Sequence, residues 1–137
     1  MSTKLGMSLK FGNYNGTMSV NISANNKHVI SIIDPQTELV DVDCAINLPC
    51  TLTISLAGKN TNDTKVENNI IVADKYVQLT KMSLGNIPIN PKILFEICNL
   101  ANGRKDTYWG VNGDVTIHLN EENFILWHLK NKNVFDL

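Results

Sequence analysis

The sequence predicts an all-β fold, an antiparallel two-sheet β-sandwich of jelly-roll type. Three observations carry this. Thr51–Leu56 alternates cleanly, with Leu52, Ile54 and Leu56 on one side and Thr51, Thr53 and Ser55 on the other, the period of a half-buried strand. Turn signals such as Asn25-Asn26, Asn102-Gly103 and Asn112-Gly113 recur between short apolar runs. No stretch carries the three-four apolar stripe of an amphipathic helix.

Taken in order, Met1–Thr17 contains Gly6, Gly12 and Gly16 and is expected as an arm or an irregular edge strand. Met18, Val20 and Ile22 alternate with Ser19, Asn21 and Ser23, and with Lys27–Ile33 they predict a hairpin turning at Asn25-Asn26. Asp34-Pro35 ends it, because proline has no amide proton for the ladder. Glu38–Cys44 points Val40, Val42 and Cys44 inward and Asp41 and Asp43 outward. After the polar stretch Gly58–Asn69, strands resume at Ile70–Val72 and Tyr76–Leu79. Val77 and Leu79 share one parity and Met82 and Leu84 the other, so a β-bulge is expected at Thr80-Lys81. Asn86–Pro91 is expected as a loop or an edge segment, and Lys92–Leu100, whose run Ile93–Cys98 is apolar on both faces except at Glu96, as a central strand. Thr107–Leu119 and Asn123–Lys130 form the last hairpin, turning at Glu121-Glu122. The expected division is residues 1–17 as arm, 18–130 as sandwich and 131–137 as tail. The expected core comprises Leu52, Ile54, Leu56, Val77, Leu79, Phe95, Ile97, Val115, Ile117, Phe124 and Leu126.

A chain of 137 residues suits one domain. Its net charge of -1, with no Lys/Arg run, argues against a nucleic-acid partner. No apolar run approaches the ~20 residues that span a bilayer, and the N-terminus has no signal-peptide pattern. The three cysteines, Cys44, Cys50 and Cys98, are expected as buried thiols, with a short-loop Cys44–Cys50 bridge as the alternative.

Catalytic chemistry has little foothold. His28 lies in an apolar strand with no obvious partner in the sequence, and His118 and His128 sit beside no Cys or Ser to activate. Asp41 and Asp43 lie two apart on one strand face, and a solvated face explains them better than a glycosidase pair does. No enzyme is therefore expected, and no cofactor. The stretch Lys59–Thr64, with Asp74, offers calcium's oxygen chemistry through Asn60, Asn62, Asp63 and Asp74, without the spacing of an EF-hand. Tyr108 and Trp109 stand between two turns rich in Asn and Asp. Such rings fill cores, anchor interfaces or stack on sugars. In the last hairpin, Val115, Ile117, Leu119, Phe124 and Leu126 would face the core. Ile125, Trp127 and Leu129, with Thr116 and His118, would form a second face needing a cover, either the arm around Leu9, Phe11 and Tyr14 or a neighbouring subunit.

The pattern of Leu52–Leu56, Gly58-Lys59-Asn60, Asp63-Thr64 and Ile71–Lys75 resembles small jelly-roll modules of tailed-phage virion proteins and of carbohydrate-binding modules. That resemblance implies a non-enzymatic module for assembly or adhesion. The expected function is a virion component of tail or capsid surface, located in the virion or host cytoplasm and bound to other protein subunits as a homo-oligomer or to virion neighbours. The alternative is a lectin-like module that binds a glycan. The interface or ligand residues would be Tyr108, Trp109, His118, Ile125, Trp127 and Leu129.

Overall fold

The structure is a computed structural model that describes residues 2–12, 18–33, 37–58, 65–73, 76–110 and 112–120. Twelve strands and one short helix run through them: β1 (Ser2–Gly12), β2 (Ser19–Ala24), β3 (Lys27–Ile33), β4 (Leu39–Asn47), β5 (Cys50–Ala57), β6 (Lys65–Glu67), β7 (Ile70–Ala73), β8 (Tyr76–Leu84), β9 (Ile87–Pro88), α1 (Pro91–Ile97), β10 (Cys98–Leu100), β11 (Tyr108–Trp109) and β12 (Gly113–Leu119). Two antiparallel sheets form. The first runs β11-β8-β1-β4 with β9 added to β8, and the second runs β10-β12-β5-β2-β3. β6 and β7 make a separate hairpin. The predicted all-β sandwich is the observed architecture.

The core lies between the sheets. Leu5, Leu9, Phe11, Val77, Leu79 and Trp109 come from the first, and Val20, Ile22, Leu52, Ile54 and Ile117 from the second; each is at most 2% exposed. Alternation along each strand puts these residues inward and leaves Ser, Thr, Asp and Lys outside. The expected bulge is present. Ser8 pairs with Lys81 and Leu9 with Leu79, so Thr80 is the extra residue, and its Oγ1 donates to Ser8 O at 3.1 Å. The bulge reverses the parity of β8, which is how Val77, Leu79, Met82 and Leu84 all point inward.

Three tight hairpin turns share one chemistry. Asn25-Asn26 joins β2 to β3, Asn68-Asn69 joins β6 to β7, and Gly85-Asn86 joins β8 to β9, with positive φ at all six residues. Two-residue turns whose central residues are both left-handed match the twist of the flanking strands, and Asn tolerates that conformation better than most residues.

Four expectations need correction. Ser2–Gly12 is neither an arm nor an edge strand: β1 is bonded to β4 on one side and β8 on the other. Leu9 and Phe11 are therefore core residues and are not available to cover another face. The segment expected as a central strand begins as helix α1. Asn90 caps it, its Oδ1 accepting from Lys92 N at 2.9 Å, and Pro91 supplies the preset φ of a first helical residue. On that helix Ile93, Leu94 and Ile97 turn inward, and Phe95, expected in the core, is 46% exposed. Finally, Val115–Ile117 of β12 is bonded on one side to β10 and on the other to β5, so those residues have no free edge for a following strand. Residues 121–137, including Phe124, Ile125, Leu126, Trp127, His128 and Leu129, lie outside the described residues, as does Tyr14.

Candidate functional site

The outer face of the first sheet gathers the polar side chains that the alternation expels. Directly opposed residues of an antiparallel pair share a face, so the register orders this face in rows. Gly6 pairs with Ser83 and Asp43. Ser8 pairs with Lys81 and Asp41. Lys10 pairs with Gln78 and Leu39, and Gln78 pairs on its other side with Tyr108. Gly12 pairs with Tyr76.

At one end of this face lies a groove of about 510 Å³. Ser8, Asp41, Asp43, Thr80, Lys81 and Ser83 supply its polar lining, and Pro88, Ile89, Pro91 and Leu94 form an apolar wall. The wall exists because β9 and α1 fold back over the β8 side of the sheet, with Ile89 N donating to Met82 O at 2.8 Å. Ser8 Oγ donates to Asp41 Oδ1 at 2.7 Å, which fixes that carboxylate across the strand gap. Gly6 forms the floor. A Cβ there would lie 2.8 Å from Ser83 Oγ and 3.2 Å from Asp43 Oδ1, so both side chains lean over the space a larger residue would fill.

At the other end, the rings of Tyr76 and Tyr108 stack with centroids 4.7 Å apart and planes at 29°. Tyr76 lies directly on Gly12, where a Cβ would sit 1.9 Å from a ring carbon. Asp106 sets the other ring. Its carboxylate accepts from Tyr108 N at 3.0 Å, and its backbone carbonyl accepts from Trp109 Nε1 at 2.7 Å. This clamp sends Trp109 inward and Tyr108 outward. In the Tyr108 row Lys10 pairs with Glu38 at 3.6 Å.

The predicted residues fall as follows. Tyr108 belongs to this face and is 39% exposed. Trp109 does not: at 1% exposure it is a core residue, and a ring with both faces packed cannot stack on a sugar. It also lines a hollow of about 140 Å³ shared with Asn102, Asn112 and Asp114. His118 is exposed on the second sheet, its Nδ1 3.2 Å from Thr51 Oγ1, beside a hollow of about 220 Å³ shared with Glu96 and Lys105. Ile125, Trp127, Leu129 and the proposed calcium donors Asn60, Asn62, Asp63 and Asp74 lie outside the described residues. Sequence reasoning passed over Ser8, Ser83 and Tyr76. Their shared parity with Asp41 and Tyr108 becomes visible only once the strand partners are known.

All three thiols are free, and Cys50 and Cys98 are buried. Burial pushes the Cys98 thiol up to about 12, with the nearby Asp106 charge adding to the shift. None of the described His, Cys, Asp and Glu residues gather into a group of three that could hold a metal ion. Among the described residues no helix is long and apolar enough to cross a membrane.

No protein-family model matches the sequence, and no curated protein matches it. A solved structure does share the fold. It is vCBM60 in its selenomethionine form, from work on circular permutation as an evolutionary link between two families of calcium-dependent carbohydrate-binding modules. The TM-score is 0.54, over 85% of this chain and 90% of that one, at 12% sequence identity. At that identity the likeness shows the fold alone: the two chains share a β-sandwich.

Proposed function

We propose that the chain is a non-enzymatic carbohydrate-binding module whose sugar site is the groove on the outer face of the first sheet. One observation carries the reading: Asp41, Asp43, Ser8 and Ser83 converge over a glycine floor against the wall of Pro88, Ile89 and Pro91. A pyranose ring presents hydroxyls around its rim and C–H bonds on its faces. Carboxylate oxygens accept from the hydroxyls, serine hydroxyls both donate and accept, and the apolar wall packs on the C–H face. The two carboxylates stand on the same strand and the same wall, whereas glycoside hydrolysis needs a pair flanking the scissile bond. The site is thus arranged to hold a sugar rather than to cleave one. Calcium, if it takes part, would be held by Asn60, Asn62, Asp63 and Asp74, and chelation would then weaken sugar binding.

A glycan array on the purified chain tests the proposal. Asp43→Ala is expected to weaken reproducible binding about tenfold or more, since a hydrogen bond to a charged group is lost. Gly6→Leu fills the groove floor and is expected to abolish binding while the far-UV spectrum stays β. Unchanged binding in both variants would overturn the assignment of the site.

A second reading, association with neighbouring subunits as in a virion component, is favoured by a different surface. Among the described residues β3 and β4 are outermost strands of the two sheets, and they carry Ile33 at 70% and Leu39 at 59% exposure. Unpaired strand edges with exposed apolar residues are templates for pairing with another chain.

A further inference from the structure

Resting on the proposed sugar site, we propose that the same face takes an extended glycan chain rather than a single terminal sugar, with the Tyr76–Tyr108 pair as a second contact point. The groove and the aromatic pair lie on one face of one sheet, since Tyr108, Gln78 and Lys10 share a row and Asp43, Gly6 and Ser83 share another. Those rows are separated along β1 by the four residues from Gly6 to Lys10. At a strand rise of ~3.3 Å per residue this is about 13 Å, more than one pyranose ring covers and within the reach of a short oligosaccharide.

The side chains between the ends fit such a ligand. The intervening row offers Ser8 and Lys81, and the Tyr108 row itself adds Gln78 and Lys10, all of which hydrogen-bond to hydroxyls without demanding charge on the ligand. The aromatic end is held in place before any ligand arrives. Gly12 leaves room for Tyr76 to lie flat on β1, Tyr76 supports Tyr108, and Asp106 accepts from Tyr108 N. A ring fixed this way loses little freedom when a sugar stacks on it, so its contribution to affinity is not spent on ordering the side chain. A linear chain running along β1 would set one sugar in the groove and a more distant one against the tyrosines.

The test uses the full chain with ladders of β-1,4-linked cello-, manno- and chito-oligosaccharides from monosaccharide to hexasaccharide, followed by calorimetry and by amide shifts in NMR spectra. Affinity is expected to rise with length and then level off, and the shifted amides to run from Gly6 through Lys10 to Tyr108. Tyr108→Ala is expected to weaken the longer ligands about tenfold and leave the shortest unchanged, whereas Asp43→Ala weakens every length. Tyr108→Phe keeps the ring and is expected to retain the length dependence. Binding in the groove with no length dependence, or with shifts confined to residues near Gly6, overturns the extended-chain proposal and spares the sugar site. No binding by any ladder or on the glycan array overturns both.

Discussion

Trp109 and Tyr108 are adjacent in sequence and have opposite fates. Alternation along β11 sends one inward and one outward, and Asp106 locks the choice by accepting from the indole of one and the amide of the other. Trp109→Ala would therefore remove a core side chain, and any loss of binding in that variant would report unfolding. Cys98 makes a second residue-scale point. Its thiol is fully buried and pushed up to about 12 from an ordinary 9.0, first by desolvation and then by Asp106. The folded state thus keeps a proton that the unfolded chain gives up sooner. This contribution to stability is fully present below pH 9.0 and is lost as the pH rises through about 12. The urea midpoint is expected to fall across that window, less steeply in Cys98→Ala, and iodoacetamide is expected to label Cys98 only after unfolding.

At the scale of elements, β5 is the best-buried strand of the second sheet, bonded to β2 and β12 along its length, with Leu52 and Ile54 fully buried. Ile54→Ala is expected to cost about 2–5 kcal/mol, read from urea denaturation, because neighbours on two sheets cannot collapse into the space. A cost below 1 kcal/mol on the order of a surface substitution would contradict the packing described. The bulge at Thr80 shows an element serving two ends. It keeps β8 apolar on its inner face through a change of parity, and it places Thr80 and Lys81 together on the groove. The wall of that groove comes from β9 and α1, and α1 depends on a local signal, Asn90 followed by Pro91, which the apolar run Ile93–Cys98 outweighed in the sequence-based expectation.

For the whole molecule, the two sheets bury one continuous core and leave two surfaces with different prospects. The outer face of the first sheet is polar and grooved, as a ligand site requires. The outermost strands among the described residues, β3 and β4, carry Ile33 and Leu39, and they set the expectation for association. If the chain assembles through these edges, the double substitution Ile33→Lys and Leu39→Lys lowers its mass in size-exclusion chromatography to that of a monomer while glycan binding persists. A wild-type chain that elutes as a monomer removes the association reading.

Strand positions, the Asn25-Asn26 hairpin, the bulge at Thr80 and the inward set Leu52, Ile54, Val77, Val115 and Ile117 were legible in the residues themselves, because side-chain period and turn chemistry are local properties. Tyr108 could be singled out as a candidate for the same reason. Which strands are neighbours was not legible. Pairing of β1 with both β4 and β8 joins residues from 29 to 79 positions apart, and local periodicity carries no information on such partners. That pairing brings Ser8, Asp41, Asp43, Lys81 and Ser83 around Gly6 and sets Tyr76 on Gly12, the pairing of β11 with β8 places Tyr108 beside Tyr76, and β10 and β5 close both sides of β12 at Val115–Ile117. The sandwich was thus determined by short-range alternation, and the candidate site was decided by long-range hydrogen bonding between strands.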